Sequence, residues 1–267
     1  MKRFRRPANL ILVAILALPV IALANGDELV TDRPDQTESA ETIAAGAFQV
    51  ELGYSRIEVD QPGVRLEIDS VPQTLVRIGL DPRWELRIGY AGYQKLSPET
   101  PSGPRVRGNG DASLGFKWKL AEEAGPRPQV ALLGEIQIAS GDPDLGRNET
   151  DPAFRFSFSH TLSDRAGVGY NVGVRLDTVE DPSGDDDQLA SAIWTVAYGR
   201  SLTERWGFFV EAFGESGLSA ADGAANGIDA GVTWLLRPLI QLDFSTGVEV
   251  TSGNDRFFGV GLSFRNR

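Results

Sequence analysis

From Phe48 to Phe264 the apolar face of this chain falls on even numbers. Trp84, Leu86, Ile88 and Tyr90 alternate with Glu85, Arg87 and Gly89. A period of two puts the two sets on opposite faces of a strand. The same alternation opens again near Phe48, Val64, Ala112, Val130, Phe154, Val168, Ala190, Trp206, Ile228, Leu242 and Phe258, twelve runs in all. Each run is about ten residues long, which suits a tilted strand crossing a bilayer in ~9–11 residues.

The connections alternate in length. Short turns fall near Asp81, Glu122, Ser163, Thr203 and Arg237, and most of the others are longer: 92–110, 140–151, 177–187 and 215–226. Short turns on one side and long loops on the other are the pattern of an outer-membrane barrel, with the short side periplasmic. A soluble sandwich also alternates, so the tryptophans decide. All five lie on the apolar face, and Trp84, Trp118, Trp206 and Trp234 sit within about three residues of a short turn. A membrane interface gathers indole rings in this way, because the ring prefers apolar surroundings and its N–H prefers water; a buried core has no reason to. The expected fold is therefore all-β: a transmembrane, antiparallel, up-and-down barrel of about twelve strands, with those four tryptophans as an aromatic girdle. The alternating strand from Phe258 to Phe264 resembles the assembly signal of bacterial outer-membrane proteins, though Arg265-Asn266-Arg267 follow the aromatic.

Before the strands come two other segments. Residues 1–24 read as a cleaved signal peptide: Lys2, Arg3, Arg5 and Arg6, an apolar run from Leu10 to Leu23, and Ala22-Leu23-Ala24 as the cleavage site. The apolar run is too short to span ~30 Å as a helix. Residues 25–45 are polar and lack periodicity; they read as an extended periplasmic segment or, alternatively, as a plug tucked into the mouth of a barrel formed by residues 46–267. Without the signal, 22 basic residues face 37 acidic ones, which argues against a nucleic-acid partner. The partners expected instead are outer-membrane lipid, the barrel-assembly machinery and a small-molecule solute.

Leu29-Val30-Thr31-Asp32-Arg33-Pro34-Asp35-Gln36-Thr37-Glu38-Ser39, with 46–54 behind it, resembles the start of a family of outer-membrane transporters described as "putative MetA-pathway of phenol degradation". The strand–turn–strand from Val76 to Tyr90 is similar to that family too. The resemblance implies a transporter-like barrel, in some members linked to aromatic catabolism, and carries over no binding residues.

Function is then sought on the odd-numbered face. Glu51, Arg65, Arg77, Glu85, Arg87, Glu135, Arg155, Arg175 and Glu211 fall there and are the candidate lumen or constriction residues. Facing rows of opposite charge create a transverse field that orients dipolar solutes; the alternative is that they brace a closed wall. Leu75, Leu133, Ile193, Phe209 and Phe213 share the face and offer an apolar step. The single histidine, His160, falls on the even face, where neither Ser159 nor Thr161 accompanies it, so no nucleophile–base pair forms within that strand and no enzyme is expected. The acidic stretch 177–187 lacks the spacing of a calcium loop, and neither a metal nor a cofactor is expected. These readings make the chain an outer-membrane channel for passive uptake of small molecules, aromatic or hydrophobic compounds among them. The alternative is a closed structural or adhesive barrel acting through its outer loops.

Overall fold

The structure, a computed structural model, describes residues 29–61, 63–98, 103, 105–147, 149–180, 186–218, 224–251 and 254–267. The signal-peptide reading of residues 1–24 and the tip of the acidic stretch 177–187 lie outside these residues.

Fourteen strand segments make one antiparallel sheet: β1 (Phe48–Gln61), β2 (Val64–Asp81), β3 (Trp84–Tyr90), β4 (Tyr93–Pro98), β5 (Val106–Asn109), β6 (Ala112–Ala121), β7 (Gln129–Ile138), β8 (Asp151–Ser163), β9 (Ala166–Glu180), β10 (Asp186–Ser201), β11 (Trp206–Gly217), β12 (Ala224–Arg237), β13 (Ile240–Glu249) and β14 (Arg256–Arg265). The first strand pairs with both β2 and β14, so the sheet closes on itself. β3 and β4 are successive parts of one stave, since both pair with β2; β5 and β6 form the next stave in the same way. The barrel thus has twelve staves, as the alternation requires.

The polarity of this sheet is the inverse of a soluble one. Large apolar residues on even positions are exposed around the ring, among them Ile88, Leu114, Phe156, Val172, Val196, Ile228, Phe244 and Val260. Glu51, Arg77, Glu85 and Lys117 are fully buried. Across the staves even positions pair with even ones: Ile88 with Leu114, Leu132 with Phe156, Val172 with Trp194, Phe244 with Val260. A one-residue slip would turn a stave's apolar set inward, so each register is held by the need to keep charges off the lipid. Trp84 stacks on Trp118 at 5.0 Å and Trp206 on Trp234 at 5.1 Å, each pair directly opposed across two staves beside a short turn. The last two residues tie back to the start of the barrel. Asn266 exchanges hydrogen bonds with the Phe48 backbone, and Arg267 donates to the carbonyl of Ala45.

Parity changes in one sector. Between Gly53↔Gln73 and Ser55↔Ser70 the second strand spends one residue more than the first. The next two staves are interrupted at the same height, at Ala91-Gly92 and Gly110-Asp111. On β2 and β4 beyond this level odd residues face outward, as the exposed Val71 and Tyr93 do, while β1 keeps its parity and its Ile57 pairs with the even Ile68. Arg65 is corrected by this shift. It sits on the exposed outer hairpin, paired with Asp60 at 2.8 Å, and not in the lumen.

Candidate functional site

The lumen is occupied by residues 29–45. Their backbone and side chains bond to inward-facing residues from most of the ring. Val30 accepts from Gln49 and Arg77, and the Asp32 amide donates to the Glu51 carboxylate at 3.1 Å. Across the barrel the Gln36 amide donates to Glu211 at 2.6 Å, and the Thr37 hydroxyl meets Thr195 at 2.7 Å. Glu38 is held through its backbone by Asn171 and Ser157. Nearer the short turns Glu41 pairs with Lys119 at 2.8 Å and also binds Gln129, Thr42 donates to the Pro82 carbonyl, and the Ile43 amide donates to Glu85. An extended segment inside a barrel has no strand to pair with. Its amides are satisfied instead by acceptors that the wall turns inward, as buried backbone requires.

Asp32 is the centre of this arrangement. Its carboxylate receives Lys117 at 2.9 Å, Arg87 at 2.5 Å and Arg77 at 3.2 Å, and also Ser39 of its own segment. Arg77 is further bonded to Glu85 at 2.8 Å and lies 3.4 Å from Glu51; Arg87 also reaches Glu38 at 2.7 Å. Buried charges are tolerated when each is paired and hydrogen-bonded, and here every member except Glu38, whose carboxylate meets Arg87 alone among the described residues, has at least two partners.

Four of the nine candidate lumen residues, Glu51, Arg77, Glu85 and Arg87, thus form one cluster around Asp32. Glu211 stands on another sector and holds Thr37. Glu135 lies higher in the lumen, bonded to Gln137 at 2.7 Å and Ser113 at 3.2 Å, and Arg155 is half-buried on β8. Arg175 belongs to the outer end, where it pairs with Asp177 at 2.7 Å and Glu215 at 2.9 Å, away from the cluster. The apolar inward residues are used for packing. Leu133 and Ala131 cover Ala40 of the N-terminal segment, and Phe209 and Phe213 lie over Gly231 and Gly227, where a β carbon would meet their rings. His160 stacks beside Tyr170 at 6.2 Å on the outer face. Sequence reasoning missed Asp32, Thr37 and Glu38 as members of the site. Their stretch has no periodicity, and its abundance of charged and hydroxyl residues was the available signal.

The family described as "Putative MetA-pathway of phenol degradation" matches residues 31–266 of this chain, from the residue before Asp32 to the one before the last. The chain belongs to this family. Among solved structures, the family member resembles an outer-membrane channel from Pseudomonas putida F1, with a TM-score of 0.63 at 15% identity over 85% of this chain and 97% of that one. It also resembles the NanC porin, with a TM-score of 0.56 at 12% identity over 81% and 98%. The β domain of the Bordetella autotransporter BrkA gives a TM-score of 0.54 at 12% identity over 82% and 99%. At these identities the likeness is one of fold, and the fold is that of outer-membrane barrels. No curated protein matches the sequence.

Proposed function

We propose that this protein is a passive outer-membrane channel for small molecules, aromatic or hydrophobic compounds among them, and that residues 29–45 are its plug. The observation that carries this reading is what fills the lumen. A barrel serving only as a wall or a mount for loops can fill its interior with its own side chains. Here a polar segment joined to the wall at Gly46 fills it, and the wall behind is lined with charges that water would solvate once the segment moved aside. Membership of a family named for phenol degradation supports aromatic compounds as the solutes, and the charged rows support ordering of dipolar ones. Arg77, Arg87 and Arg155 opposite Glu211 form the constriction, with Glu51, Glu85 and Glu135 beside them; Trp84, Trp118, Trp206 and Trp234 anchor the barrel in lipid. The assembly machinery that inserts such barrels is the other partner.

Single-channel recording in planar bilayers tests this. Discrete conductance steps are expected, together with swelling of liposomes in small aromatic solutes. Silence in both would favour a closed barrel acting through its loops. Conductance unchanged in Arg87→Ala and Arg155→Ala would remove these residues from the constriction.

A further inference from the structure

On the outer side of the plug, between it and the wall of β2, β3, β6 and β7, lies a cavity of about 290 Å³. Most charged groups that line it are already bonded. Glu51 receives the Asp32 amide, Gln49 and Arg77; Arg87 pairs with Asp32 and Glu38. Asp111 accepts three backbone amides of the outer loop, from Ser140, Gly141 and Arg147, at 2.7–3.0 Å. Glu135 holds Gln137 and Ser113.

Arg33 differs. Its hydrogen bonds among the described residues both leave Nη2, to Asp243 and to the Val260 carbonyl, and both are 3.5 Å long. That is past the usual range of such bonds. Its Nε is buried without a partner, although the side chain is only 19% exposed. The group has been given room all the same. It lies across Gly53 and Gly261, where any β carbon would collide with it. A guanidinium presents five N–H donors in a planar fork that matches a carboxylate, and one left short of acceptors inside a protein is costly.

We propose that this cavity is a binding site for a small carboxylate solute, seated by Arg33. The fork of Arg33 would take the carboxylate, in the strong charge-assisted geometry. Leu75 gives the cavity an apolar side. Five staves round the wall from β14, Glu135 and the amide oxygen of Gln137 supply acceptors, which favour a solute with a hydroxyl at its other end and disfavour a second anionic group. This deepens the channel reading and rests on it for the solute's route. Because Arg33 follows Asp32 directly, an occupant of this cavity touches the plug itself.

The test is calorimetric titration of the purified full-length protein in detergent, near neutral pH, with para-hydroxybenzoate and with para-hydroxybenzyl alcohol, its neutral analogue. The acid should bind about tenfold more tightly than the alcohol, a difference of about 1.4 kcal/mol. Arg33→Gln should abolish that preference, and Arg33→Lys should keep part of it. Gln73→Trp, a change in the wall that fills the cavity, should weaken both ligands. The proposal is overturned if the acid binds no better than the alcohol, if Arg33→Gln keeps the preference, or if Gln73→Trp leaves acid binding intact. Conductance recorded in parallel separates the two readings. Binding without conductance would remove the channel and leave the site, and conductance without acid preference would do the reverse.

Discussion

At the scale of single residues, the proposed plug is centred on one carboxylate. Burial opposes ionisation of Asp32, but Arg77, Lys117 and Arg87 outweigh it and hold the group well below the usual carboxylate range. Asp32→Ala leaves three buried cations short of a partner, a loss of about 3–5 kcal/mol in comparable cases. It should unseat the plug, and cleavage by a glutamate-specific protease after Glu38 or Glu41 should then become fast in the intact barrel. Glu38 gives a pH dependence of opposite sign. Burial pushes its carboxyl up to about 7, against the attraction of Arg87, whose charge is shared with Asp32 and Glu85; Asp32 itself adds to the rise, while Arg155 and Lys117 oppose it. Asp35 is raised as well, by burial and then by Glu211. A carboxyl raised on docking takes up a proton when it docks, so docking weakens as pH rises from the free value of 4.5 through about 7. Asp32 works the other way only below the ordinary carboxylate range and is flat across this window. Protease access to the plug, corrected for the enzyme's own pH profile, should therefore be greater at about pH 8 than at about pH 5.5. Glu38→Gln should reduce that difference and leave the part that Asp35 contributes.

At the scale of elements, the staves were legible in the sequence because a strand repeats every two residues and lipid enforces the repeat on each of them. The pairs Trp84–Trp118 and Trp206–Trp234 follow from the same count. The exception is the sector above Gly53, where β2 spends its extra residue. Nothing in the alternation of 64–80 announces the shift, so Arg65 was read on the wrong face, and 92–110 was read as a plain loop although it carries β4 and β5. Glycines on the inner face supply another element-scale test. A β carbon on Gly231 would strike the Phe209 ring and the Phe244 carbonyl, whereas one on Gly199 meets nothing within 4 Å. Gly231→Ala should cost about 1–3 kcal/mol in urea unfolding of the refolded barrel, and Gly199→Ala should be near neutral.

At the scale of the whole molecule, the plug was only half legible. Its polarity and position before β1 admitted a seat inside the barrel, but its partners come from sites as distant in sequence as Glu211 and Asp243, and no local pattern encodes them. The chain has no cysteine, which makes a direct test of plug motion clean. Thr37 and Thr195 place their hydroxyl oxygens 2.7 Å apart. In Thr37→Cys/Thr195→Cys an oxidised cross-link should fix the plug and suppress conductance, and reduction should restore it. Equal conductance in the two redox states would mean that solutes pass without the plug moving.

The ring of plug partners also sets an order of events. Asp32 needs β2, β3 and β6; Thr37 needs β10 and β11; Arg33 lies against β1 and β14. No partly assembled sheet contains all of these at once, and the site for the plug comes into being only when β14 closes on β1. The segment that precedes every strand in the sequence should therefore be the last to find its place.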